Sequence, residues 1–138
     1  MKKLSGIFVF GSNLAGRHGA GAAKAAYENG LCTYGVGRGP CSGPKGFSYA
    51  LPTKDKSMKP LSVLMLKFMV DEFIQFASQY ADVDFLLTKI GTGLAGFKEE
   101  DVAKLFAAAG HNVWLIDEKQ AIIYKANHWK DYTEGGED

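Results

Sequence analysis

The 138-residue sequence has only two cysteines, a net charge close to zero and no long apolar run. Cys32 and Cys41 are too few for the disulfide framework of a small secreted domain, so we expect free thiols. No stretch approaches the ~20 apolar residues that cross a bilayer, and the N-terminus lacks the apolar stretch of a signal peptide. A net charge of +1 argues against bulk nucleic-acid binding. These absences predict a soluble, cytoplasmic protein with neither a membrane nor a nucleic-acid partner.

The charge is unevenly divided along the chain. Residues 1–60 contain nine lysines and arginines against two acids, whereas residues 61–138 contain seven against thirteen. The basic half also contains most of the glycine, and this combination favours a bound anion. The alternative is that the charges interleave on the folded surface.

Hydrophobic patterning predicts strands that alternate with helices. Four apolar runs have the length of buried strands: 7–10, 85–90, 113–116 and 121–124. Residues 47–52 alternate with a period of two, which also predicts a strand. Three segments have helical composition, spacing or end signals: 19–29, 60–80 and 99–110. Residues 31–46 are rich in glycine and proline and are expected to form a long loop. The expected fold is α/β, a three-layer α/β/α sandwich with a mixed, largely parallel sheet. It forms one domain over residues 1–132, followed by a flexible tail at 133–138.

Two segments share the order apolar strand, small-residue loop, helix. The first runs from Gly11 to Ala23 and the second from Gly91 to Phe97. In a parallel sheet both loops lie at the carboxyl ends of strands, where α/β folds bind ligands. Glycine lets the backbone approach a phosphate closely, and a following helix offers free N–H groups and the positive end of its dipole. The two loops together predict a phosphate or diphosphate site for a small-molecule ligand.

Neither loop matches a standard nucleotide motif. The first lacks the G-x-x-x-x-G-K-[ST] pattern of a P-loop. It follows a dinucleotide fingerprint only loosely, because the bulky Arg17 and His18 occupy positions where the backbone must approach a pyrophosphate. A Rossmann oxidoreductase is therefore a minor alternative, and we expect neither a cofactor nor a metal ion.

His18 is the strongest catalytic candidate, because it is the only histidine in a glycine-rich loop and imidazole titrates near neutral pH. It is suited to act as acid, base or nucleophile, with Arg17 steadying oxyanions. The alternative is that both residues only contact a phosphate or solvent. Asn13 follows an apolar strand directly, so it either holds a hydroxyl or water, or forms an Asx turn or a helix N-cap.

Three further polar residues lie near these loops. Arg38, in the long loop, is placed to fold over a ligand as a lid. Lys54 and Asp55 end a predicted strand and are expected to form a solvated pair rather than to face the ligand.

The order of these segments resembles the macrodomain superfamily of ADP-ribose-binding modules, and more closely a compact macrodomain-like branch met in phage and bacterial genomes. Four segments within residues 6–117 carry the resemblance: Gly11 to Asn13, Gly19 to Ala23, Ser48 to Lys54 and Ile90 to Phe97. The resemblance implies that backbone N–H groups of Gly19 to Ala22 and of Gly91 to Gly96 hold a diphosphate. It also implies that Asn13 bonds the distal ribose and that Phe97 packs beside it. The chain departs from the family near Ala23, where hydrolytic macrodomains often have an aspartate.

The implied function is binding of ADP-ribose or a related nucleotide-diphosphate sugar, with hydrolysis as an ADP-ribose-1″-phosphatase or ADP-ribosyl ester hydrolase. The alternative is a non-catalytic module that reads or sequesters such a ligand. The predicted catalytic residues are His18, Asn13 and Arg17. The predicted ligand-binding residues are Gly11, Ser12, Gly19, Ala20, Gly21, Ala22, Gly91, Thr92, Gly93, Leu94, Ala95, Gly96 and Phe97.

Overall fold

The computed structural model describes residues 6–88, 96–117 and 122–131. Its strands are β1 (Ile7–Asn13), β2 (Gly39–Gly43), β3 (Gly46–Lys54), β4 (Phe85–Thr88), β5 (Val113–Asp117) and β6 (Ile122–Lys125). Its helices are α1 (Gly21–Glu28), α2 (Val63–Ser78) and α3 (Glu99–Leu105), with a 3-10 turn at Ala126–His128. The expected tail at 133–138 lies outside the described residues.

The strands form one six-stranded sheet in the order β2-β3-β1-β4-β5-β6. The four central strands β3, β1, β4 and β5 are parallel to one another, whereas β2 and β6 run antiparallel along the two edges. This arrangement confirms the predicted mixed, largely parallel sheet.

Helices cover both faces of the sheet. Successive side chains of β1 point to opposite faces, so that Val9 packs among buried residues of α2 and α3 while Phe10 packs against Ala23 and Ala26 of α1. The larger cluster, on the α2 and α3 face, contains the fully buried Trp129. The predicted three-layer α/β/α sandwich is confirmed.

Local signals in the sequence account for where α2 and α3 begin. The side chain of Ser62 accepts a hydrogen bond of 3.1 Å from the N–H of Met65, which caps α2. Three acidic residues in the first turn of α3 complement the positive end of its dipole.

Residues 31–46 are not the continuous loop that the composition predicts. They contain β2, which pairs antiparallel with β3 and reverses direction between Gly43 and Gly46. The short edge strand tolerates Pro40 because only one side of an edge strand needs to donate to a ladder. This antiparallel return places Cys41 beside Cys32, with 5.2 Å between their Cα atoms, and the two form a disulfide.

The prediction of free thiols was therefore wrong, and one reason for expecting a cytoplasmic protein is removed. Within residues 6–88, 96–117 and 122–131, no helix has the length and apolar character needed to cross a membrane.

Candidate functional site

At the carboxyl end of β1, the chain passes to one face of the sheet, whereas after the neighbouring strands it passes to the other face. The helix that follows β1 packs on one face, whereas the helices that follow its neighbours β3 and β4 pack on the other. Strands whose connections diverge in this way leave a crevice at their carboxyl ends, which is where open α/β sheets bind ligands. The loop from Leu14 to Ala20 directly follows β1 and therefore lies at this end of the sheet.

β1 is longer than its apolar run predicts. Gly11 and Ser12 continue the ladder with β3, opposite Leu51 and Pro52, and the register shifts between Ser12 and Asn13. Gly11 and Ser12 are therefore strand residues that support the following loop rather than loop residues themselves. The buried Ser12 hydroxyl donates to the carbonyl oxygen of Gly37 at 2.5 Å.

Asn13 closes the loop that follows β1. Its side-chain oxygen accepts from the N–H of Arg17 at 2.9 Å, and its amide nitrogen donates to the carbonyl oxygen of Arg17, also at 2.9 Å. Asn13 is buried, whereas the Arg17 side chain is exposed. The oxygen and the nitrogen of the Asn13 amide thus both bond to the backbone of Arg17. This is the turn-forming role that the sequence allowed for Asn13.

His18 is buried rather than open to the crevice, with 2% of its surface exposed. Its ring packs against Phe10, Tyr27 and Tyr34, with centroids 5.9, 6.1 and 5.1 Å away. Nε2 lies 2.9 Å from the carbonyl oxygen of Val36, and because a carbonyl only accepts, we assign the proton to Nε2. The buried Nδ1 then carries a lone pair, and it has no hydrogen-bond partner in the described part of the chain.

Residues 33–38 pack over the loop from Leu14 to Ala20 and form hydrogen bonds with it. In addition to the bonds to Ser12 and His18, the N–H of Gly35 donates to the carbonyl oxygen of Gly16 at 3.1 Å. The backbones approach so closely that a Cβ at Gly37 would overlap the carbonyl oxygen of Asn13, and one at Gly16 that of Gly35. Gly16 also has a φ of +73°, a conformation that favours glycine. These contacts hold the loop in one arrangement.

The loop delivers the chain to an uncapped helix N-terminus. Ala20 is the N-cap of α1 and provides no side-chain hydrogen bond, and no acidic residue lies in the first turn. Gly19, Ala20 and Gly21 are exposed, and a Cβ at Gly19 would meet no atom within 4 Å. The first N–H groups of α1 are therefore open to a ligand from this side.

The predicted aspartate position of hydrolytic macrodomains falls on a core residue. Ala23 is 5% exposed and packs in the cluster of Phe10 and Ala26 on the sheet. Ala22, the remaining ligand-binding candidate in this helix, is partly buried against the same cluster. The side chain of residue 23 thus points into the core rather than towards the open end of α1.

Most of the second predicted loop lies outside the described residues, including Gly91, Thr92, Gly93, Leu94 and Ala95. The strand that leads to it, β4, pairs parallel with β1, so Thr88 ends at the same sheet edge as the first loop. Gly96 is exposed with a φ of +78°. Phe97 is partly buried against the core on the α2 and α3 face.

Arg38 does not extend over the crevice as a lid. Its guanidinium donates two hydrogen bonds to the carboxylate of Glu72 on α2, at 2.9 and 2.7 Å. These bonds lower the pKa of Glu72 below its ordinary value. Arg38 is thus held by an ion pair on the α2 face of the sheet.

Lys54 is a further cation at this edge. The sequence predicted only that it forms a solvated pair with Asp55. The Asp55 carboxylate instead accepts from the backbone N–H groups of Ser57 and Lys59, at 2.8 and 3.0 Å. Lys54 is half-buried and lies opposite Asn13 in the register, and no described residue forms an ion pair with it. The signal in the sequence is a lysine directly after a buried strand, next to an aspartate in a turn-forming context.

Comparisons with known proteins leave the family open. No protein-family model matches the sequence, and no curated protein matches it. One solved structure, described as a protein of unknown function from Bacteroides thetaiotaomicron, is similar to this chain at 18% identity, with a TM-score of 0.46. The alignment covers 75% of this chain and 80% of that chain. A similarity of this degree carries no inference about function.

Proposed function

We propose that this protein binds a diphosphate-containing nucleotide of the ADP-ribose type at the carboxyl edge of its sheet. The observation that carries the proposal is the exposed and uncapped N-terminus of α1, which the loop after β1 places at the carboxyl edge of the sheet. Backbone N–H groups and the helix dipole favour a phosphate there, and the open space at Gly19 leaves room for one.

Two cations at the same edge support an anionic ligand. Arg17 is exposed two residues before Gly19, and its backbone is fixed by Asn13. Lys54 lies beside Asn13 in the register. A guanidinium suits a diphosphate because it donates two parallel hydrogen bonds to phosphate oxygens. The choice of ADP-ribose within this ligand class rests on the macrodomain resemblance of the glycine-rich segments.

Binding without hydrolysis is the form of this proposal that the geometry favours. His18 is enclosed by three aromatic rings and the Val36 carbonyl, and the Asn13 amide is engaged at both ends. A group that acts on a substrate must come within hydrogen-bond reach of it. We therefore propose a module that reads or sequesters its ligand, with the ADP-ribose-1″-phosphatase or ester hydrolase as the alternative.

Calorimetric titration with ADP-ribose, ADP and ribose 5-phosphate tests the proposal. Gly19→Glu adds a side chain and a negative charge at an exposed position where a Cβ meets no atom within 4 Å, so we expect it to abolish binding while the melting temperature is retained. Arg17→Ala should weaken binding about tenfold, which corresponds to about 1.4 kcal/mol. Lys67→Ala, which removes an exposed cation on α2, is the matched control and should bind as the wild type does.

A variant that tests the phosphate site must block it without straining the backbone. Gly21 has a φ of +59°, so Gly21→Val would strain the backbone as well as block the site. Gly19 avoids this ambiguity. Unchanged affinity in Gly19→Glu would place the ligand elsewhere, and absence of binding by all three ligands would reject the ligand class. Incubation of the wild type with ADP-ribose-1″-phosphate separates the two forms of the proposal, because phosphate release identifies the hydrolase.

A further inference from the structure

Two tyrosines with half-exposed rings lie beside the loop from Leu14 to Ala20. Tyr27 belongs to α1, and Tyr34 belongs to residues 33–38, which pack over the loop; 46% and 52% of their surfaces are exposed. Their ring centroids are 5.3 Å apart, and the ring planes are nearly perpendicular, at 82°. Adjoining rings of this kind form an aromatic surface on which a further ring can pack.

The two rings cover His18 and leave their other sides open. The centroid of the His18 ring lies 6.1 Å from that of Tyr27 and 5.1 Å from that of Tyr34, and His18 is only 2% exposed. The exposed parts of the tyrosine rings are therefore those that do not face His18. Because His18 directly precedes Gly19, this aromatic surface lies next to the open N-terminus of α1.

The backbone fixes where both rings stand. Tyr34 directly precedes Gly35, whose N–H donates to the carbonyl oxygen of Gly16 at 3.1 Å. Tyr27 follows Gly21 by six residues within α1, which separates the two positions by about 9 Å along the helix axis at a rise of about 1.5 Å per residue. A ligand held at the N-terminus of α1 thus has two fixed aromatic rings within a few residues of it.

We propose that Tyr27 and Tyr34 form a stacking platform for the base of a bound nucleotide. This inference rests on the proposed function, because phosphates at the N-terminus of α1 determine where the base lies. One ribose separates the base of a nucleotide from its phosphates, and the tyrosines stand at a comparable separation from the helix N-terminus.

The chemistry of the platform selects the ligand class. The nearly perpendicular rings allow a base to stack on one ring while its edge meets the other, and both contacts are favourable arrangements of aromatic groups. Every nucleobase has a π face, so purines and pyrimidines both stack on an aromatic side chain. The ligand is therefore a nucleoside diphosphate or a derivative of one, and not a sugar phosphate or inorganic pyrophosphate.

Calorimetric titration of the same variants with ADP and with inorganic pyrophosphate tests the platform, because only ADP has a base. Tyr34→Leu keeps an apolar side chain over His18 but has no π face, so ADP binding should weaken at least about fivefold while pyrophosphate binding stays within about twofold. Tyr27→Leu should act in the same direction. Tyr34→Phe keeps the ring and should bind ADP as the wild type does.

Tyr80→Leu is the matched control. Tyr80 is 48% exposed and packs against Phe76 on the other face of the sheet, so its substitution should leave the binding of both ligands unchanged.

The two ligands separate the platform from a purely structural role of the tyrosines. If Tyr34 only covered His18, Tyr34→Leu would weaken ADP and pyrophosphate binding equally through the loop, and that result would overturn the platform. Wild-type ADP affinity in both Tyr34→Leu and Tyr27→Leu would also overturn it while leaving the phosphate site in place. If the wild type bound neither ligand, the phosphate site itself would be rejected and the platform with it.

Discussion

His18 is the residue for which a catalytic and a structural role lead to opposite expectations for stability. The ring is almost fully buried between β1, α1 and residues 33–38, and its Nε2–H is bonded to Val36. His18→Ala removes a buried ring and leaves the Val36 carbonyl without this donor. Cavity formation and the lost hydrogen bond together should cost about 3 kcal/mol of the free energy of unfolding.

This cost should be measured by urea unfolding and by calorimetric melting. With an unfolding entropy of about 2 cal/mol/K per residue, a loss of 3 kcal/mol in a chain of 138 residues lowers the melting temperature by about 10 °C. His18→Phe retains the ring packing but not the hydrogen bond, so it should lose about 1–2 kcal/mol. Arg17→Ala, an exposed neighbour, should change stability by less than about 0.5 kcal/mol. A His18→Ala protein as stable as the wild type would refute the structural role and restore His18 as a candidate catalyst.

Three further substitutions test the loop and the core. Asn13→Ala removes both side-chain bonds to the Arg17 backbone, so unfolding should become about 1–3 kcal/mol easier and amide exchange at Arg17 should accelerate; unchanged exchange would argue against the turn. Gly37→Ala places a Cβ against the Asn13 carbonyl and should cost about 1–3 kcal/mol in urea unfolding, whereas Gly19→Ala, in open space, should cost far less. Burial raises the pKa of Tyr49 to about 12, so the unfolded chain ionises first and stability is lost between about pH 10 and pH 12. Tyr49→Phe should lose less stability across this range, and identical pH profiles for the two proteins would contradict the assignment.

The sequence predicts the layers of the fold well because the central elements carry strong periodicity. The run Ile7 to Phe10 and the spacing of apolar residues in α2 are local signals, and both elements form where predicted. The edge strand β2 has no such signal, because it is short, contains Pro40 and is defined by its pairing with β3. The disulfide was missed for the same reason, since the pairing of β2 with β3 is what brings Cys41 beside Cys32.

The sequence predicted a loop at the carboxyl end of β1 but not the placement of its side chains. The alternation of strands and helices along the chain predicts a parallel sheet, and such a sheet places the loop after β1 at its carboxyl end. The burial of His18 depends on Tyr34 and Val36, which lie sixteen and eighteen residues further along the chain. A glycine-rich context indicates only that a loop is present, and it cannot show which other segment covers it. Arg17 and His18 are adjacent in the chain, but tertiary contacts decide that Arg17 is exposed and His18 is buried.

The same contacts show how a buried histidine would serve the anion-binding loop that we propose. A glycine-rich loop that is free in solution must lose conformational entropy when it closes around an anion, and that cost weakens binding. Here His18, Asn13 and Ser12 bind the backbone of this loop or of residues 33–38 before any ligand arrives. The backbone of Arg17, which leads to the first N–H groups of α1, is thus held in place by neighbours that need not contact the proposed ligand. On this argument, substitutions at the buried residues should weaken anion binding through the loop's order, whereas Gly19→Glu should do so with the loop intact.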